Sequence, residues 1–384
     1  LFSLTRTPGD RILEYDSVAV LQSRVSGRDG RSRVAAELIE TLNEMGVVPS
    51  LYTHSSKELI DEFCQGFGKQ LHVKPFTIAE FNPLHVLTLS AALANFPLKK
   101  HISGYHTVWN MNNNPYFLPK GPRYIHYVHF PVDAAIDYHE KFDSGIHLWF
   151  RRAMKLYYRL ARALSYSFLS DDHKLLANSQ FTAENIRSCW RAPVDDIQVV
   201  YPPCDYEAVS QFCPNRSCIS IGAFSEDKRQ LEQIKIGSQL PHITFHLVGR
   251  SDHSPVYFQK CVAEKAKLKA DNVLLHTDLD RNGLRDLLKS CSMGIHTKQF
   301  EHFGIAVVEI LGSGCIPFVH DSGGPAEIVT DQCCRFRNIE EAVEKISAID
   351  WDNAEQLYQD LSKNLHRYSA ATFRQSIKSL LNKP

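Results

Sequence analysis

From residue 217 onward the sequence repeats one pattern: a short apolar run, then a stretch with helical spacing. CISIGAF (218–224), HITFHLVG (242–249), NVLLHT (272–277), MGIHT (293–297), CIPFVH (315–320) and CRFR (334–337) are the runs, and segments such as DKRQLEQIKIGSQL separate them. Strands that are apolar on both faces must be covered on both faces. Alternation at this spacing therefore predicts parallel βαβ units with helices above and below a sheet. Few other folds accept such a chain.

The first half carries the same grammar less regularly. SVAVLQS (17–23) reads as a strand, SGRDGRS as a loop with glycines, and the following residues as a helix with Val34, Leu38 and Leu42 on one face, ending near Gly46. VVPSLYTH (47–54), HVLTLS (85–90), RYIHYVHF (123–130) and LLANSQ (175–180) continue the strands. A chain of 384 residues exceeds the roughly 250 to 300 residues of a single core. Two doubly wound domains are expected, residues 1–205 and 206–368, with 369–384 as a C-terminal helix packing back on the first. Ligands of such sheets bind beyond the carboxyl ends of the strands, so two facing domains would define a cleft.

Lys plus Arg equals Asp plus Glu at 43 each, so no overall field favours nucleic acid, and none is expected as a partner. No stretch reaches the roughly 18 consecutive apolar residues of a membrane span, and the N-terminus lacks a signal-peptide plan. A cytoplasmic protein is expected; because the sequence starts at Leu1, an upstream anchor stays open. The ten cysteines include no C-x-x-C pair. Reduced, mostly buried thiols fit best, and neither a disulfide framework nor a zinc site is expected.

The run 151–169 has five basic residues, no acid, and apolar positions every three or four residues. It reads as a core-packed helix with a basic outer face or as a helix lying on a membrane surface.

Within EHFGIAVVEILGSG (301–314), Glu309 sits among Ile305, Val307, Val308, Ile310 and Leu311. An unpaired charge there would cost several kcal/mol, roughly, unless something bonds it. Glu301 falls in the loop after a strand, and Gly304 opens a helix whose first N–H groups suit an anion. Two carboxylates at different points along an elongated ligand could hold the two ends of a nucleoside diphosphate sugar; an internal Arg or Lys partner for Glu309 is the alternative.

Glu301 and Glu309 with seven residues between, inside E-H-F-G-I-A-V-V-E, followed by G-C-I-P and S-G-G-P, resemble the E-x7-E signature of glycosyltransferase family 4, whose members are retaining enzymes of GT-B fold. Tyr127 to Pro131 (YVHFP) and Val199 to Asp205 (VVYPPCD) strengthen the likeness. Within the family the text is most similar to enzymes that move mannose from GDP-mannose onto a lipid-linked glycan with α linkage. The resemblance implies a nucleotide-sugar donor, GDP-mannose favoured, a glycan or lipid-linked glycan acceptor, no metal or other cofactor, and a peripheral contact with the cytosolic face of a membrane. Glu301 would contact the sugar hydroxyls, His302, Phe303, Gly304 and Ile305 would hold sugar and phosphate through their backbone, and Glu309 would bind the ribose. Lys228 matches the lysine that neutralises the diphosphate. Gly30, in the loop after the first strand, would approach it, and His129 would lie near the transferred sugar, with His126 as the alternative histidine. Catalytic roles thus fall on His129, Lys228 and Glu301.

One position departs from the pattern: Ala223 stands where the family often has Arg. A catalytically silent, donor-binding subunit, a UDP-sugar enzyme and a sugar-nucleotide epimerase are the rival readings. The loop Asp321 to Pro325 reads as a helix entry that borders the site or as a purely structural turn.

Overall fold

The computed structural model describes residues 17–78 except 28, 98–138 except 114 and 117, 146–166, 173–190, 197–206, 212, and 214–381 except 278. Packing divides the chain into two units: 1–178 with 182–200 and 374–384, and 179–181 with 201–373.

The first unit is built on seven parallel strands: β1 (Val18–Leu21), β2 (Ser50–Thr53), β3 (Lys74–Thr77), β4 (Thr107–Asn110), β5 (Arg123–Val128), β6 (His173–Ala177) and β7 (Ile197–Val199). Their order is β3-β2-β1-β4-β5-β6-β7. Strand order reverses between β1 and β4, the mark of a doubly wound sheet. All residues of β1, β2 and β4 are buried, as strands covered on both faces must be. The helix Gly30–Glu44 starts where the Asp29 side chain accepts from the backbone N–H of Arg31 and Ser32 at 3.0 Å, and it buries Val34, Leu38 and Leu42. Gly46 follows it in the left-handed region at φ 81°, the geometry that glycine tolerates at a helix exit.

The second unit has six parallel strands in the order β10-β9-β8-β11-β12-β13. They are β8 (Ser217–Ile221), β9 (Thr244–Gly249), β10 (Val273–Thr277), β11 (Met293–His296), β12 (Ile316–His320) and β13 (Arg335–Phe336). Here the order reverses between β8 and β11. Every apolar run read from the sequence in this half is a strand. In the first half, β3, β4 and β7 are additions, and HVLTLS (85–90) lies outside the described residues.

The C-terminal helix Ala370–Leu381 brings Arg374 to Glu37, Glu40 and Glu44 on the helix Gly30–Glu44, with 2.7 Å to Glu40. Lys378 adds a bond to Glu44 at 2.8 Å. Glu37 is buried, so this guanidinium answers a charge that burial would otherwise make costly. The nine described cysteines are free thiols, six of them buried.

Candidate active site

The second unit's switch point lies where β8 and β11 run side by side, Met293 opposite Cys218 and Gly294 opposite Ile219. Both strands end there in loops, and the two loops bring opposite charges together. After β8, the chain passes Gly222 and Ala223, turns through a short 3-10 segment, Glu226–Lys228, and enters the helix Gln230–Ser238 with Arg229 at φ 58°. After β11 it runs through Thr297 and Lys298 to Glu301, with Phe300 at φ 51° and Gly304 at φ 106°.

Several neutral bonds fix the first loop. Gln230 donates to the carbonyls of Gly222 and Ala223 at 3.3 and 3.0 Å and accepts from the Ser225 N–H. Thr297 donates to the Lys228 carbonyl at 3.0 Å and itself accepts from Gln233. The Lys228 stem lies over Gly222, whose missing Cβ would sit 3.6 Å from the Lys228 Cδ. With its backbone so held, the lysine reaches across the switch point.

Lys228 Nζ donates to Glu301 Oε2 at 2.5 Å. Lys298 lies 3.4 Å from the other Glu301 oxygen and 3.2 Å from Asp227, and His296 Nε2 lies 3.7 Å from Glu301 Oε2. Burial alone would raise the Glu301 carboxyl; Lys228, then Lys298 and His296, outweigh it and hold the group well below the ordinary carboxylate range. The carboxylate is therefore ionised and acceptor-ready at neutral pH. Burial lowers the His302 ring to about 4, so it is neutral there. Lys298 is held above its usual value: burial opposes this, but Glu301 and Asp227 prevail.

The helix Ile305–Gly312 begins beyond Glu301, capped by Gly304. The Asp321 to Pro325 loop supports this entry from behind. Gly324 N–H donates to the Glu301 carbonyl at 2.8 Å, and Ser322 Oγ accepts from Phe300 N–H at 2.8 Å. A Cβ on Gly323 would come within 2.4 Å of the Glu301 carbonyl oxygen, and one on Gly324 within 2.4 Å of the Phe303 Cα. Of the two readings of this loop, the structure shows one that shapes the backbone around Glu301.

Lys228, Glu301, His302, Phe303, Gly304 and Ile305 thus share one location. Phe303 is buried, its ring 5.7 Å from Tyr201. Glu309 is half-buried, as are Ile305 and Ala306, on a helix whose Val307, Val308, Ile310 and Leu311 are buried. His296, Lys298 and Asp227 are additions that sequence reading did not supply. A lone histidine or lysine at a strand end has no spacing signal, and only the curvature at Phe300 brings them to Glu301.

Gly30 and His129 belong to the first unit. Gly30 is the first residue of its helix. The buried His129 follows β5; its backbone N–H donates to Asn113 at 3.1 Å, and its ring meets Tyr127 edge-on at 5.2 Å. His126 is committed inside the sheet: one ring nitrogen bonds Asn110 at 3.0 Å, the other His173 at 2.8 Å, and its ring stacks on His173 and Tyr124. Among the described residues, no group of three or more His, Cys, Asp or Glu side chains is placed to hold a metal ion.

Two family descriptions match this chain: Glycosyltransferase Family 4 over residues 28–208 and Glycosyl transferases group 1 over 214–367. The chain belongs to glycosyltransferase family 4. Its two sheets are the GT-B fold. Among solved structures, Anabaena HepE in complex with UDP and glucose superposes with a TM-score of 0.68 at 17% identity, covering 95% of this chain and 98% of that one. Sucrose-phosphate synthase from Thermosynechococcus elongatus gives 0.69 at 12%, covering 95% and 98%. Both likenesses concern the fold. Curated relatives named GDP-Man:Man(3)GlcNAc(2)-PP-Dol alpha-1,2-mannosyltransferase include the Yarrowia lipolytica protein, 31% identical over 52% of this chain and 35% of its own length. The Xenopus laevis protein is 28% identical over 52% and 46%. The match to this family 4 chain thus spans only a third to a half of those relatives.

Proposed function

We propose that this chain is a retaining hexosyltransferase that moves mannose from GDP-mannose, with α linkage, to a lipid-linked glycan met at the cytosolic face of a membrane. The observation that carries this reading is the Lys228–Glu301 pair at the β8/β11 switch point, a cation and an ionised carboxylate held beside a glycine-capped helix start. The relatives' names supply the donor and acceptor.

In this reading the donor's diphosphate displaces Glu301 from Lys228, and the freed carboxylate accepts bonds from the sugar hydroxyls. The N–H groups at the start of the helix Ile305–Gly312 receive phosphate oxygens. Lys298 brings a second positive charge to a site that lacks an arginine after Gly222. Charge growing on the leaving phosphate is met by groups already in place, which is electrostatic catalysis, and no metal ion is required. The acceptor oxygen bonds to the anomeric carbon on the face from which the phosphate departs, and its proton passes to a phosphate oxygen. No protein base is needed. His129 lies near the sugar, Gly30 near the diphosphate, and Glu309 takes the ribose hydroxyls.

A thermal-shift series with GDP-mannose, UDP-glucose and ADP-glucose tests the donor, since binding to the native state raises Tm by mass action. GDP-mannose should give the largest rise, and Lys228→Ala should remove it. A larger rise with UDP-glucose would replace the donor; no rise with any would overturn the site. Transfer unchanged by a chelator is the companion result for metal independence.

A further inference from the structure

The helix Ile146–Tyr166 has two apolar faces, and folding accounts for only one. Met154, Tyr158 and Ala161 are buried with Tyr116 and Ile136. On the other side, Trp149 is 71% exposed and Leu156 and Leu160 are each 57% exposed. At about 100° per residue, these three lie within roughly 40° of one another, and the buried residues lie on the opposite half of the helix. Single exposed leucines are ordinary; an aligned Trp-Leu-Leu stripe is not.

The charges beside the stripe choose its partner. Arg152 and Arg159 are exposed and flank it on one side. No acidic residue occurs between Ile146 and Tyr166. Arg151 and Lys155 already pair with Asp137, with 3.0 Å to Arg151, so among the described side chains of this helix Arg152 and Arg159 are the cations turned outward. A second copy of this chain docking face to face would set these arginines against themselves. A bilayer surface carrying anionic lipid offers the opposite: apolar depth for Trp149, Leu156 and Leu160, and phosphates for the arginines. The helix is not long and apolar enough to cross a membrane.

We propose that this face of the helix Ile146–Tyr166 lies on the surface of an anionic bilayer, with Trp149, Leu156 and Leu160 entering the interface and Arg152 and Arg159 on lipid phosphates. This rests on and deepens the acceptor half of the proposed function, because it fixes which face of the first unit meets the membrane. Vesicles without donor or glycan test it apart from transfer chemistry.

The experiment is co-flotation of the purified chain with phosphatidylcholine vesicles, with and without roughly 30% phosphatidylserine. Binding should be at least about tenfold tighter to the anionic vesicles and should weaken with salt. The combined Trp149→Ser, Leu156→Ser and Leu160→Ser variant should lose about tenfold or more with its Tm retained. Arg152→Glu with Arg159→Glu should abolish the preference for phosphatidylserine, and brominated lipid should quench Trp149 in the native chain. Equal binding by the serine variant, no lipid preference in the native chain, or lipid-free self-association that the serine variant removes would each overturn the proposal.

Discussion

The two sheets reverse strand order at equivalent places, yet the two switch points are chemically unlike. At the ends of β1 and β4, Ser23 N–H donates to Asn112 at 2.9 Å and Asn110 bonds Asn112 and His126, a network of neutral groups. At the ends of β8 and β11, Lys228, Lys298, Asp227 and Glu301 form a network of ions. A doubly wound sheet thus dictates where a site can form, and the loops dictate what it can do. Neutral bonds hold a shape under any charge that approaches; ions select the ligand's charge.

The sharpest way to break this contrast is to remove one ion. Glu301→Gln and Lys228→Ala should each lower kcat by about 10² to 10³, the scale of losing one preorganised charge. Near-native rates in both would move the chemistry elsewhere. Glu309→Ala should weaken donor binding by roughly 1.5 to 3 kcal/mol, read as a raised KM with kcat retained. Gly324→Ala should cost about 1 to 3 kcal/mol of stability, because its Cβ meets the Phe303 backbone, and should weaken donor binding with it. In the neutral network, His126→Ala should lower stability by about 1 kcal/mol or more while donor-induced Tm shifts persist; loss of those shifts would erase the contrast.

Acid should reach the two networks by different routes. Burial, with His173 second, keeps His126 neutral well below the usual histidine value, and burial lowers His302 to about 4. Unfolded histidines take up protons below about pH 6.5. The unfolded chain then binds more protons than the folded one, so stability falls in both units as pH drops below about 6.5, in the second unit toward about 4. Glu301, with its folded value depressed, adds stability that is present above the ordinary carboxylate range and lost only as pH falls through that lower value. Hydrogen exchange at stepped pH should show both units loosening through the histidine window. Glu301→Gln should remove only the later loss, confined to the second unit.

The same contrast explains what the sequence disclosed. The second unit's strands were legible because each is a continuous apolar run bounded by turn residues. In the first unit, β3 is KPFT, exposed throughout and at the sheet edge, and β4 is TVWN, polar at both ends; neither shows the continuous apolar run or the alternation that marks a strand. Glu301 and Lys228 were legible through a text shared with family 4. His296 and Lys298 were not, since their place depends on the left-handed backbone at Phe300, which turns the loop back toward them. The partial exposure of Glu309, shared with Ile305 and Ala306, shows that neighbouring elements cover only part of this apolar helix.

The Lys228–Glu301 pair makes the site an ion exchanger. In the proposed reading, an anion that engages the lysine competes with a carboxylate already bonded to it, so part of the incoming charge replaces one already there. The same carboxylate stands ready to recapture the lysine when a spent anion loosens. A site built this way should hold a spent anion loosely, and its affinity should vary less with ionic strength than that of a bare lysine.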